Sequence, residues 1–278
     1  MKTVLICHDG SRLTQLGMSR WLATFSDLAG IIVLRETDER VRKRHQREIR
    51  RVGRLRFLDV MAFRAYYHLF LAGRDRRRED AQLAELLDRY PPVPADTPTL
   101  ITHSPNSKEA ETFLRELAPD IIIARCKTLL AKRIFTIART GTFVMHPGIC
   151  PEYRNAHGCF WALANDDLTN VGMTLLKIDE GVDTGPIYGF FSYPYDEHHE
   201  SHVVIQNRVV FDNLPALADK LVEIHDRRAI PIDVSGRRSA EWGQPWLTAY
   251  WRWRLHARRR RRGGPSHESD NSAVSRRD

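Results

Sequence analysis

Short apolar runs recur along this chain, each followed by a polar turn and a stretch with helical periodicity. Thr3–Cys7 (T-V-L-I-C), Gly30–Leu34 (G-I-I-V-L) and Asp120–Ala124 (D-I-I-I-A) are rich in β-branched residues and almost unbroken by polar ones. Such runs predict strands buried on both faces. Leu100–Thr102 and Thr142–Met145 predict shorter strands. Gly172–Asp179 and Gly185–Phe191 predict two more. Helical patterns lie between them. One is capped by Ser11 and runs to about Phe25. Another covers Ser107–Leu117, with an imperfect capping box because Glu111 falls one residue late. Ala131–Ala138 and Cys159–Asn165 predict short helices. Val203–Ile224 predicts a long one, broken near Pro215. Strand–helix alternation of this kind predicts an α/β fold with a Rossmann-like, mostly parallel sheet flanked by helices.

Two stretches depart from that rhythm. Residues 40–78 are dense in Arg and Lys and keep a helical period, with an apolar face of Leu58, Met61, Tyr66, Leu69 and Phe70. An inserted helical pair is expected there, closed by a loop rich in proline from Pro91 to Pro98. After Pro231 the chain turns irregular, then aromatic and basic. The expected organisation is a main domain over 1–230 with the insertion at about 40–80, a short extension over 231–257, and a basic, disordered tail over 258–278.

Charge changes this picture only locally. Of the net +8, most sits in residues 252–278, where nine Arg face only Glu268, Asp270 and Asp278. The body is near balance, so composition gives no general case for nucleic-acid binding. The run Arg258–Arg262 suits nucleic acid or anionic lipid, but a solvated tail is the expectation. The Leu55–Gly73 helix is expected to cover the core; a membrane-surface role and a homodimer face remain open to it. No stretch of membrane-spanning length is free of charge, and no N-terminal signal is visible. Cys7, Cys126, Cys150 and Cys159 lack metal-ligand spacing, so no metal site is expected. Free thiols in a cytoplasmic setting are expected.

Candidate chemistry lies between Val144 and Tyr188. His146 follows an apolar strand and precedes Pro147-Gly148, at a strand's carboxyl end, where open α/β sheets bind ligands. Asp183 lies in the loop D-E-G-V-D-T-G, Asp179 to Gly185, whose glycines allow a tight turn and close backbone approach to a flat ligand. A carboxylate beside an imidazole fixes its orientation and favours the imidazolium. Taken singly, each residue also suits plain turn chemistry.

Together the segments resemble the formyltetrahydrofolate-dependent formyltransferases. The matching pieces are A-P-D-I-I-I-A from Ala118, H-P-G-I-C-P-E-Y-R from His146, W-A-L-A-N from Trp161 and G-M-T-L-L-K-I-D-E-G-V-D-T-G-P-I from Gly172. The resemblance is firm from about Leu117 to Ile187, weaker over residues 1–34, and absent from the Arg-rich insertion and the tail. It implies a formyltransferase that uses 10-formyltetrahydrofolate as donor and an amine as acceptor. His146 and Asp183 would be catalytic. Thr128, Leu129 and Leu130, with Gly181, Val182 and Thr184, would hold the pterin through backbone groups. One family residue is missing. The Asn two positions before the His is Val144 here, and Asn155 or His157 is the candidate replacement donor, with turn chemistry as the plainer use of both. The family implies three readings: formyl transfer to a small-molecule amine or amino-sugar conjugate, hydrolysis of the same donor, and folate binding without catalysis. A tRNA acceptor is not expected, because few residues follow Ile224. A phosphoribosyl acceptor is disfavoured by Asp9 in the first turn, His8–Ser11.

Overall fold

The computed structural model describes residues 1–263. Its strands are β1 (Lys2–His8), β2 (Asp27–Leu34), β3 (Thr99–Thr102), β4 (Ile121–Ala124), β5 (Gly141–His146), β6 (Arg154–Asn155), β7 (Met173–Lys177), β8 (Ile187–Phe191) and β9 (Glu241–Trp242). Seven of them form one sheet in the order β3-β2-β1-β4-β5-β7-β8. The pairs from β3 to β5 are parallel, and β7 and β8 are added antiparallel. The α/β, mostly parallel sheet is therefore as expected. Val4, Leu5 and Ile6 on β1, with Ile121, Ile122 and Ile123 on β4, are fully buried, as central strands covered on both faces must be.

The helices are α1 (Ser19–Phe25), α2 (Asp38–Val52), α3 (Arg54–Tyr66), α4 (Ala72–Arg89), α5 (Lys108–Leu117), α6 (Lys132–Phe135), α7 (Gly158–Ala164), α8 (His202–Phe211), α9 (Leu214–His225) and α10 (Leu247–Gly263). Several differ from expectation. Ser11 does not cap: its hydroxyl donates to Thr14 Oγ1 at 2.9 Å, and the helix opens as a π turn over Leu13–Met18. The Ala131–Ala138 helix shrinks to α6, where β-branched Thr136 and Ile137 end it. The long C-terminal pattern does break near Pro215 as expected, between α8 and α9, and Pro215 sits at the start of α9, where its missing N–H costs nothing.

The insertion is larger than a pair. α3 passes through a π turn, Tyr67–Leu71, into α4, which continues to Arg89 and stops just before Pro91. Its expected apolar face is corrected too. Val60, Phe63 and Leu71 are buried, whereas Leu58, Met61, Leu69 and Phe70 are exposed. Apolar residues surround α3 on most sides, so periodicity alone does not choose the face; the packing partners choose it. Phe63 lies 5.7 Å from Phe160, 5.4 Å from His202 and 5.4 Å from Tyr250, ring centroid to ring centroid.

The C-terminal expectation also changes. The extension is not merely irregular: β9 pairs with β6, and α10 packs beside α3 and α7. α10 carries residues 258–263 of the expected tail in a helix; the remainder of that tail lies outside the described residues.

Candidate active site

β5 delivers His146 to the carboxyl edge of the sheet, and the turn after it is held by buried polar contacts. Thr174 on β7 is fully buried; its hydroxyl donates to the Gly148 carbonyl at 2.7 Å and accepts from the Cys150 N–H at 2.9 Å. Gly148 is required by space. A Cβ there would stand 2.5 Å from the Tyr153 carbonyl oxygen and 2.6 Å from His146 Nε2. Arg125, at the end of β4, donates to the Met145 carbonyl at 2.6 Å; burial lowers it to about 10, which leaves it cationic at neutral pH. Neither Thr174 nor Arg125 stood out in the sequence, because their partners are 20 or more residues away.

His146 is 5% exposed, and both ring nitrogens face acceptors. Nε2 lies 2.8 Å from the Tyr153 carbonyl, which only accepts, so Nε2 carries the proton. Nδ1 lies 3.4 Å from Asp183 Oδ2, longer than a charge-assisted hydrogen bond of about 2.7–2.9 Å. Asp183 is 15% exposed and takes a hydrogen bond from the Asn155 backbone N–H at 2.8 Å.

The acidic loop is built around Asp179, whose Oδ1 accepts from the Gly181 N–H at 2.9 Å and from the Thr184 hydroxyl at 2.8 Å. A Cβ on Gly181 would stand 2.0 Å from Thr184 Oγ1, and one on Gly185 1.9 Å from the Lys177 carbonyl. The glycines thus allow the loop to fold back on itself and present Asp183, which adopts a φ of +53°.

Among the sequence candidates, Thr128, Leu129, Leu130, Gly181 and Asp183 line one cleft with Val144, Leu176 and Ile178. Leu176 and Val144 give it an apolar floor, backed by Cys150 and Ile187. Val182 and Thr184 serve the loop instead: the Val182 carbonyl accepts from Arg154, and Thr184 ties to Asp179. The cleft is small, about 100 Å3. A larger cavity of about 470 Å3 between α4 and α8 contains neither His146 nor Asp183. There Glu200 pairs with both Arg78 and Arg208; Asp183 lines the smaller cleft, and His146 stands behind it as the partner of Asp183.

Asn155 does not act as the expected donor. Its side-chain nitrogen donates to Glu241 Oε1 at 3.1 Å and to the Trp242 carbonyl at 2.6 Å, turned toward β9. Its φ of +76° is the left-handed geometry that Asn tolerates. Its contribution to the site is the backbone N–H on Asp183. His157, also left-handed at +57°, lies 6.0 Å from the buried His202 ring; burial lowers it to about 4.

Sequence reasoning missed Trp242. It stacks on Tyr153 at 5.8 Å and on Trp161 at 4.8 Å, and its indole N–H donates to the Glu152 carbonyl at 2.9 Å. It therefore clamps the short segment that supplies both the Tyr153 carbonyl to His146 and the Asn155 N–H to Asp183. Burial raises the cysteine thiols, Cys7, Cys150 and Cys159 to about 12 and the cleft-lining Cys126 to about 11, which disfavours thiolate formation near neutral pH. Among the described residues no group of His, Cys, Asp or Glu is arranged to hold a metal.

Comparison with known proteins identifies relatives of the chain and of its fold. A family model described as formyl transferase matches residues 71–221, more than half of the chain, from the insertion's second half into α9. The methionyl-tRNA formyltransferase of Pelobacter propionicus is 30% identical over 137 residues, covering 49% of this chain and 42% of that protein. That of Kosmotoga olearia is 38% identical over 91 residues, covering 32% of this chain and 29% of the relative. The chain thus spans less than half the length of these curated relatives. A sugar N-formyltransferase from Shewanella sp FDAARGOS_354 shares the fold with a TM-score of 0.52 at 15% identity, covering 87% of this chain and 77% of that one. A phosphoribosylglycinamide formyltransferase from Anaplasma phagocytophilum does so at 0.52 and 13%, covering 88% and 98%.

Proposed function

This chain belongs to the formyl transferase family, and we propose that it transfers a formyl group from 10-formyltetrahydrofolate to the amine of a small molecule or an amino-sugar conjugate. The observation that carries the reading is the pairing of His146 with Asp183 at 3.4 Å beside the cleft of the 128–130 and 179–183 loops. That cleft has an apolar floor at Val144 and Leu176 on which a flat heterocycle would lie, between the 128–130 and 179–183 loops.

The donor supplies an activated formyl carbon, and the protein supplies charge and orientation. His146 is held in plane by the Tyr153 carbonyl, and as an imidazolium beside Asp183 it stabilises the negative charge that develops on the formyl oxygen as the acceptor nitrogen attacks. A C–N bond forms to the acceptor and the C–N bond to the donor breaks. The attacking nitrogen loses a proton and the departing one gains one. Asp183, which reaches solvent, is placed to relay that proton through water. Val144 contributes no hydrogen bond, and both ring nitrogens of His146 already face acceptors, so His146 would serve the oxyanion through its charge.

The test is release of tetrahydrofolate from 10-formyltetrahydrofolate by the purified chain, with and without amines. The acceptors would be a nucleotide-linked amino sugar, glycinamide ribonucleotide and methionyl-tRNA. Release that requires the amino sugar and disappears in His146→Ala is expected. Release with formate and no acceptor would replace transfer by hydrolysis. Folate binding with no release under any condition would leave only a binding module.

A further inference from the structure

Single exposed leucines are ordinary on protein surfaces, but a contiguous exposed apolar face on a folded domain marks an interaction surface. Seven of the twelve exposed large hydrophobic side chains among the described residues lie on two neighbouring helical segments. Leu55 is 85% exposed and Leu58 65% on α3. Leu69 is 77% and Phe70 67% exposed in the π turn that follows, and Trp251 and Leu255 are exposed on α10. The two segments run side by side: Asp59 accepts from the Thr248 N–H at 3.1 Å, and Tyr66 lies 5.4 Å from Tyr250. Their inward side chains, Phe63 and Trp253 among them, enter the same core, so the exposed ones point away from it.

The charges that these segments themselves expose are almost all positive, and the carboxylates Asp166 and Glu197 beside α10 are taken up by Arg260. Arg54, Arg74, Arg258, Arg259 and Arg262 are exposed on it or at its ends. Residues 247–263 contain no Asp or Glu. Between residues 53 and 74 the one carboxylate is Asp59, and it is engaged by Thr248. Among the described residues no helix is long and apolar enough to cross a membrane. A helical face with Leu, Phe and Trp at its centre and Arg at its rim matches the mode in which a protein lies on a bilayer, with the aromatic ring at headgroup depth and the guanidinium groups on anionic lipid.

We propose that α3, the turn Tyr67–Leu71 and α10 form a docking face for an anionic membrane surface. A second copy is a poorer occupant, because a face-to-face dimer would bring two Arg rims together without carboxylates to balance them.

The test is co-sedimentation of the full chain with vesicles of phosphatidylcholine alone and of phosphatidylcholine with about one third phosphatidylglycerol, at about 0.1 M salt. Binding to the anionic vesicles at least roughly tenfold tighter than to the neutral ones is expected. Leu58→Asp/Leu69→Asp should lower it about tenfold or more, since both side chains already face solvent and the variant should melt as the parent does. Arg258→Ser/Arg259→Ser, which disturbs no packed side chain, should weaken it roughly fivefold per charge. The inference is overturned if anionic vesicles do not sediment the protein, or if neither double variant changes binding. It is also overturned if the chain is a dimer in solution that Leu58→Asp/Leu69→Asp dissociates while vesicle binding is absent.

Discussion

The strand-end site of residues 141–191 and the helical cover of residues 38–89 and 241–263 obey different rules. In the first, chemistry is placed by short-range devices: a strand that ends at His146, glycines that let two loops fold tightly, and Asp179 gathering its own turn. In the second, position depends on distant partners, with Phe63 meeting Phe160, His202 and Tyr250, and Trp242 meeting Tyr153 and Trp161. The first region holds the candidate groups His146 and Asp183; the second covers the core behind them. The two are therefore expected to fail in different ways when mutated.

Asp183→Ala gives the largest contrast. It removes the partner of His146 at a position that still reaches solvent and costs one hydrogen bond, from the Asn155 N–H. Formyl transfer should fall by about 10³-fold, on the scale of losing a main electrostatic group, with little change in melting temperature. Phe63→Ala is the opposite case. Truncating a buried aromatic costs about 3–5 kcal/mol, so denaturant midpoints should drop sharply while turnover per folded molecule holds. If Phe63→Ala instead lowered turnover of the folded fraction, the division between the two regions would collapse.

Val144→Asn sharpens the comparison within the site itself. Val144 lines the cleft and packs against Cys150, Leu176 and Ile187. Restoring an amide donor there should raise kcat by up to about 10² if the oxyanion lacks a second hydrogen bond, at a stability cost of about 1–3 kcal/mol for a polar group in an apolar pocket. An unchanged kcat, with the variant folded and binding donor, would mean that His146 alone meets the demand.

How much of this was legible in the sequence follows the same division. β1 and β4 were readable because each is a local run rich in β-branched residues, and β5 because Thr142–Met145 is a short, mostly apolar run before a turn. His146 and Asp183 were readable because each stands in a motif of adjacent residues. Thr174, Arg125 and Trp242 were not, since nothing near them in sequence announces a partner 20 to 90 residues away. Asn155 was misassigned for the same reason: an amide at the right place in a loop looks like a donor to substrate until β9 is seen to take it. The exposed face of α3 was misread because a helix with apolar residues on most sides does not say which of them it buries.

Trp242→Ala tests whether β9 acts on the chemistry through residues 152–155, which it clamps. The indole stacks on Tyr153 and holds the Glu152 carbonyl, next to the groups that orient His146 and Asp183. Looser orientation of the pair should lower kcat about tenfold, with KM for the donor nearly unchanged because the 128–130 loop is untouched. Trp242→Phe should recover most of the loss. A rise in KM with constant kcat would place the residue in ligand binding instead.

The smallest effect concerns pH. His157 is lowered to about 4 and His202 well below its ordinary value of 6.5, in both cases mainly by burial. Lys127 and Arg64 also act on His157, and His157 on His202. Both imidazoles are therefore neutral in the fold and take up protons near 6.5 once unfolded. Between pH 6.5 and about 4 the unfolded chain binds more protons than the folded one, so stability is full above that window and declines as pH falls through it. His202 is surrounded by Phe63, Tyr67 and Phe160, at ring distances of 5.4, 5.9 and 5.3 Å, an environment that suits phenylalanine. His202→Phe should melt like the parent at pH 7.5 and lose less on acidification. The difference is bounded by about 1.4 kcal/mol per pH unit for one imidazole. Melting curves at pH 7.5, 6.5 and 5.5 measure it. Parallel declines in parent and variant would mean that His202 can take its proton inside the fold, and that the cover opens more readily than its aromatic packing implies.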